Sequence, residues 1–390
     1  MTKQQAEELD TRPLVEWLAG RIANPVLRLR FLQAVMPPLA DPDPPRRHCK
    51  SWSLILFLVV ALLFSAPLRR PQTGAAGGVP RPPVAAARPR QATSQTETPE
   101  VWQVEKTDAF ETYSNGLRIE GQFSVASRRR SYLVFSATRP EDIVGEHRSV
   151  PAGIVFHTTE SLQAPFESGQ NSALQNISKS LLNYVRFKQA YNFLIDRFGR
   201  VYRVVQESDV ANHAGDSVWS DPEWLYLNLN QSFLGVSFET QTLPEQAQAA
   251  VNPAQFRAAA MLTEMLRKRY GIPAGNCITH AQVSVNISNL LIGYHIDWAS
   301  SFPFEQLGLP DNYALPLPAV SVFGFEYDSS FVGQAGVRLY QGVQFAEQVL
   351  RDRAAAAHLP VPAYRKALQT RYWSQLAAVR RDAGGMKKGR

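Results

Sequence analysis

Seven prolines stand between Pro67 and Pro99, scattered among Ala, Gly, Arg and Thr, and they confine any large folded domain to the residues beyond them. Each proline fixes its own φ and removes a backbone donor, so neither a helix nor a strand ladder runs through them. Residues 68–100 therefore read as a disordered or polyproline-like linker, and the composition turns globular at Val101. Before the linker, the uncharged run Ser51–Ala66 is slightly short of the roughly 20 apolar residues a straight helix needs to span a bilayer. Snorkelling by Lys50, Arg69 and Arg70 makes up the shortfall. The segment 51–67 is thus expected to be an uncleaved single transmembrane helix, with 1–50 as a cytoplasmic leader. Arg46, Arg47 and Lys50 on one flank nearly balance Arg69, Arg70 and Arg81 on the other, so charge alone does not orient it.

The chain has 390 residues and a formal net charge of +7, with 45% hydrophobic and 19% charged residues, which excludes global disorder. A cationic protein suits nucleic acid, an anionic membrane surface or an acidic polymer. No basic stretch interleaves with aromatics and no helix-turn-helix or zinc-finger spacing occurs, so nucleic acid is not an expected partner. Only Cys49 and Cys277 are present, which rules out a disulfide scaffold and leaves the core to burial, with or without a metal.

Beyond Val101, β-rich runs occur at 131–137, 152–157, 191–196, 201–205 and 233–239. A helix is expected from Asn252, which can cap it. Pro253 fits its first turn, and Phe256, Ala259, Leu262, Leu266 and Tyr270 form one apolar stripe. Gly271 suits the left-handed position that closes it, and Pro273 blocks continuation. Strands alternating with helices predict an α/β fold, a mixed central β-sheet flanked by helices. Residues 101–150 read as a β-rich extension of the catalytic domain, either widening the sheet or forming a small flap. Residues 314–390 read as a mainly helical basic extension, with helices over Val343 to Ala357 and Tyr364 to Val379.

His157 ends the apolar run AGIVFH, His280 follows the β-like CIT, and Asp297 closes GYHID. Two imidazoles and a carboxylate make a sound zinc set that leaves one coordination position for water. Taken singly, each residue fits an ordinary structural role equally well, and their spacing follows no local metal motif.

Five blocks in order change that balance: IVFHTTES, then the hairpin YNFLIDRFGRVYRVVQESDVANHAG, then SFLGVSFET, ITHAQVS and GYHIDWASSFPFEQLGLP. Together they resemble the type-2 N-acetylmuramoyl-L-alanine amidases, a family that includes peptidoglycan recognition proteins. The resemblance covers roughly Ala152 to Tyr313, within a domain bounded as 151–313. It implies Zn2+ as cofactor, held by His157, His280 and Asp297, and peptidoglycan or muropeptides as partners. It further implies Tyr191 as an orienting hydroxyl and Glu239, in the strand similar to the family's Gly-Ile-Glu, as general base. His295 stands where many relatives have a lysine and is expected to stabilise the oxyanion. His213 and Asn212 are expected to contact substrate. Trp298-Ala299 replaces the usual Pro-Gly after the third ligand, so that turn must be built differently.

The expected activity is hydrolysis of the amide between N-acetylmuramic acid and L-alanine, by an enzyme on the cytoplasmic membrane facing outward. Two alternatives stay open: a non-catalytic peptidoglycan-binding receptor, and a muropeptide-recycling amidase facing the cytoplasm.

Overall fold

The capped helix expected at Asn252 shows how closely local chemistry sets this fold. In the structure, a computed structural model that describes residues 100–139, 141–242 and 251–388 with side chains to 382, that helix spans Pro253–Tyr270. Asn252 accepts from the amides of Ala254 and Gln255, the Gln255 side chain reciprocates, and Gly271 closes the helix at φ 65°. Ala259, Leu262 and Leu266 are buried, with Phe256 and Tyr270 packed at the edge of the same cluster. The leader, anchor and most of the linker expected at 1–50, 51–67 and 68–100 lie outside the described residues. Among the described residues no helix is long and apolar enough to cross a membrane.

The main sheet has eight strands: β1 (Gln103–Lys106), β2 (Phe110–Tyr113), β3 (Arg118–Glu120), β6 (Gly153–Thr158), β7 (Phe193–Ile195), β8 (Val201–Arg203), β11 (Phe233–Phe238) and β12 (Cys277–Thr279). Their order is β1-β2-β3-β8-β7-β11-β6-β12. The block β7-β11-β6-β12 is parallel, and β8 returns antiparallel to β7. Its strands are buried throughout, as sheets covered on both faces require. One face, with Ile154, Phe156, Leu234, Val236 and Phe238, packs on the Asn252-capped helix in the principal core.

The other face meets helix α1 (Asn171–Lys188), for which the sequence pattern predicts no element. Its Leu182 and Val185 pack with Leu194, Tyr202 and Val204. A short helix α2 (Leu229–Ser232) precedes β11, the capped helix is α3, and α4 (His280–Val283) follows β12 directly.

Residues 101–150 contribute β1, β2 and β3 to the main sheet. However, the run at 131–137 forms β4 (Tyr132–Ser136) of a separate antiparallel sheet with β5 (Glu146–Arg148), β9 (Val218–Ser220) and β10 (Trp224–Leu227). The C-terminal region adds short helices α5 (Pro318–Ser321) and α6 (Ser329–Gln334), then α7 (Val337–Ala356) and α8 (Val361–Lys388), both longer than the sequence suggests. They are part of the core: Leu339, Val343, Ala346, Tyr372 and Leu376 join the cluster that packs under the sheet.

Candidate metal centre

Strand register brings the first two histidines together. β6 and β12 run parallel with Phe156 opposite Thr279, so the next residues, His157 and His280, leave the same edge of the sheet side by side. Their ring centroids are 4.4 Å apart. The carboxyl edge of a parallel block is where α/β sheets open a crevice, because the strands end there and the chain turns away.

Asp297 arrives from a loop beyond the hairpin β13 (Val285–Asn286) and β14 (Leu291–Ile292). Its carbonyl accepts from the Ala281 amide at 3.2 Å, which ties the loop to α4. The altered turn after Asp297 is built around Trp298, which takes a left-handed φ of 59°. Its indole is buried edge-on to Phe238 and Phe302 at 5.5 and 5.0 Å. A hydrophobic wedge thus replaces the expected turn residues.

Asp297 Oδ2 lies 3.1 Å from His157 Nδ1 and Oδ1 lies 2.8 Å from His280 Nδ1. All three residues are buried, and their ligand atoms fall within 4.8 Å of one another. Burial works against ionised Asp297, but the adjacent His280 and His157 hold its carboxyl well below the usual carboxylate range. Burial, with the charge of His280, pushes His157 down to about 4, so it stays a neutral donor of a lone pair. Two imidazoles and an ionised carboxylate converging at a buried point fit a zinc ion. Zinc is bound by just such nitrogen and carboxylate donors, and three protein ligands leave a fourth position open.

The other expected residues are placed unequally. Tyr191 precedes β7 and turns through a left-handed φ of 58°, and its ring centroid lies 5.2 Å from that of His157. Burial and the Asp297 charge keep its phenol well above its ordinary pKa, so it remains an O–H donor. His295 stacks on His280 at 4.6 Å, and burial with the His280 charge pushes it down to about 4. It therefore faces the site as a neutral imidazole, not the partly charged group its usual pKa suggests. His213 lies against His157, Nδ1 to Nε2, at 3.1 Å.

Asn212 is exposed, and its side-chain amide donates to the Lys188 carbonyl at the end of α1. Glu239 has no described contact with the three ligands. Its carboxylate accepts from Ser178 Oγ of α1 at 2.6 Å and from the Arg197 amide at 3.2 Å. The β11 residue paired with His157 is Ser237. A second carboxylate, Glu160, accepts from Thr158 Oγ1 and the Thr242 amide and acts through its charge on Tyr191.

Sequence reasoning misses Asn230, whose side-chain oxygen accepts from the amides of His213, Ala214 and Gly215 at 2.8, 2.7 and 2.9 Å. It also misses the role of Gly235. A lone Asn in a one-turn helix carries no signal of its own, and only the fold shows three donors converging on it.

Residues 147–290 match the family described as N-acetylmuramoyl-L-alanine amidase, the class the sequence blocks resemble. No curated protein matches the chain significantly. Similar solved structures include AmpDH3 from Pseudomonas aeruginosa in complex with anhydromuramic pentapeptide, at 19% identity over 40% of this chain and 58% of that one, with a TM-score of 0.30. This chain thus spans less than two thirds of AmpDH3. AmiD from E. coli, solved with anhydro-N-acetylmuramic acid-L-Ala-D-gamma-Glu-L-Lys, is 19% identical over 52% of this chain and 89% of that one, with a TM-score of 0.34. Drosophila peptidoglycan recognition protein SD is 19% identical over 43% of this chain and 85% of that one, with a TM-score of 0.28.

Proposed function

We propose that the chain is a zinc-dependent N-acetylmuramoyl-L-alanine amidase that hydrolyses the amide joining N-acetylmuramic acid to L-alanine of the peptidoglycan stem peptide. The observation that carries this reading is the complete buried donor set of His157, His280 and Asp297 at the carboxyl edge of the sheet, inside and just beyond the segment that matches the family. A receptor that only binds peptidoglycan has no chemical need for all three.

His157 and His280 would hold the metal through nitrogen and Asp297 through oxygen. Zinc, when bound, supplies a Lewis acid for the scissile carbonyl and lowers the pKa of water from 15.7 to about 7. Tyr191, kept protonated by its burial, donates a hydrogen bond to the carbonyl oxygen as negative charge develops there. His295 stacks on His280 and assists from the same side as a neutral ring. Proton transfer from the attacking water to the departing alanine amine suits a carboxylate acting as general base and then as general acid. Glu239 performs it only by turning away from Ser178 and the Arg197 amide, and Glu160, three residues beyond His157, is the other carboxylate available for the step.

The same reading puts the enzyme at the cytoplasmic membrane, anchored by 51–67, with its catalytic domain on the outer side. The Pro-rich 68–100 and the location of the polymer outside the cell support that orientation. Metal analysis of the purified protein tests the site directly. About one zinc per chain is expected, falling to background in the His157→Ala and Asp297→Ala variants; a wild type that takes up none contradicts the reading.

A further inference from the structure

Both nitrogens of His213 are engaged inside the protein. Nε2 lies 3.3 Å from the Phe233 carbonyl, and a carbonyl only accepts, so Nε2 carries the proton. Nδ1, 3.1 Å from His157 Nε2, is then the nitrogen left to accept. His157 Nε2–H therefore donates to it, and the His157 lone pair is left on Nδ1, the atom that faces Asp297. That leaves two acceptors, His157 Nδ1 and Asp297 Oδ2, facing each other at 3.1 Å, an arrangement that a cation between them relieves.

We propose that His213 is a positioning residue for the metal: through the chain Phe233 carbonyl–His213–His157, it fixes the tautomer and ring plane of the ligand His157. The proposal rests on the metal-site reading above. It reassigns a residue that sequence reasoning gives to substrate, since neither nitrogen of His213 is left to bind one.

Three features hold the relay in place. Asn230 gathers the consecutive amides of His213, Ala214 and Gly215 on one oxygen, which fixes the loop. Gly235 leaves the space that the His213 ring fills. The Phe233 carbonyl also accepts from Arg130 at 3.1 Å, which holds the far end of the relay. Partners of this kind orient metal-ligating histidines, and their loss commonly weakens metal binding about 10- to 100-fold.

The test compares wild type with His213→Ala, His213→Gln and Asn230→Ala by competing each for zinc against a chromophoric chelator, with thermal unfolding of the metal-free proteins alongside. The relay predicts zinc binding about 10- to 100-fold weaker in His213→Ala. His213→Gln, whose amide oxygen can accept from His157, should recover most of the loss. Asn230→Ala should fall between them. Equal affinity in wild type and His213→Ala, or equal weakening in the Ala and Gln variants, overturns the proposal.

Nitrogen NMR of histidine-labelled wild type decides the case if the variants fail to fold. His213 and His157 should both carry the proton on Nε2, and a His213 protonated on Nδ1 overturns the relay. A wild type that binds no zinc refutes the metal reading instead, and the His213 tautomer in that protein still judges the relay by itself.

Discussion

Gly235 and His213 share one space: a methyl group on Gly235 would stand 2.6 Å from His213 Cγ. β11 thus lacks a side chain where the imidazole lies against the sheet, and the contact sets the depth at which His213 meets His157. Gly235→Ala should therefore lower unfolding free energy by about 1–3 kcal/mol, as overpacking does, and weaken zinc binding as well. Urea unfolding and a zinc titration read the two effects. A variant matching wild type in both would show that the ring has room to move.

Tyr191 lies beside His157, with its ring centroid 5.2 Å from that of the imidazole. Tyr191→Phe keeps the ring there and removes the O–H. We expect kcat to fall by about 100- to 1,000-fold, as for loss of one oxyanion donor, with KM and the melting temperature little changed. Loss of stability without loss of kcat would assign Tyr191 to folding instead.

Glu239 gives a pH-dependent prediction with a definite sign. Burial raises its pKa, against the opposing hydrogen bonds from Ser178 and the Arg197 amide. A carboxyl whose folded pKa exceeds its unfolded value contributes stability below the unfolded pKa, near 4.5, and loses it as pH rises through the folded value. Ionised Glu239 is thus a cost at neutral pH. Glu239→Gln keeps an acceptor for both donors and should be at least as stable as wild type at about pH 8, with that advantage shrinking toward about pH 4. A variant less stable than wild type in mild alkali, recovering in acid, would show the opposite coupling.

Glu160→Gln and Glu239→Gln separate the two carboxylates in catalysis. If Glu160 moves the proton, its variant should lose about 100-fold or more in kcat while Glu239→Gln keeps most of its rate. The reverse pattern returns the base role to Glu239. Steady-state kinetics on a soluble muropeptide measures both.

The sequence carries the His157–His280–Asp297 cluster well and its surroundings less well. His157 and His280 are legible because each ends a short apolar run, and parallel strands place such ends side by side. Helix α3 is legible because its caps are written in Asn252, Gln255 and Gly271. Helix α1 is harder to read: its buried positions Leu174, Ser178, Leu182 and Val185 include a serine, and no side chain caps its start. Every residue of β11 is buried, so hydrophobicity does not tell its two faces apart. Only the register with β6 puts Ser237 beside His157 and leaves Glu239 against Ser178. The His213 relay depends on Gly235 and Asn230, whose meaning exists only in three dimensions.

Mass spectrometry of the products released from intact peptidoglycan sacculi by the purified 101–390 fragment, with and without a chelator, tests the central claim most directly. The account predicts stem peptides with a free L-alanine amine, abolished by the chelator and restored by added zinc. Retained binding to sacculi with no such release would contradict it and identify a receptor.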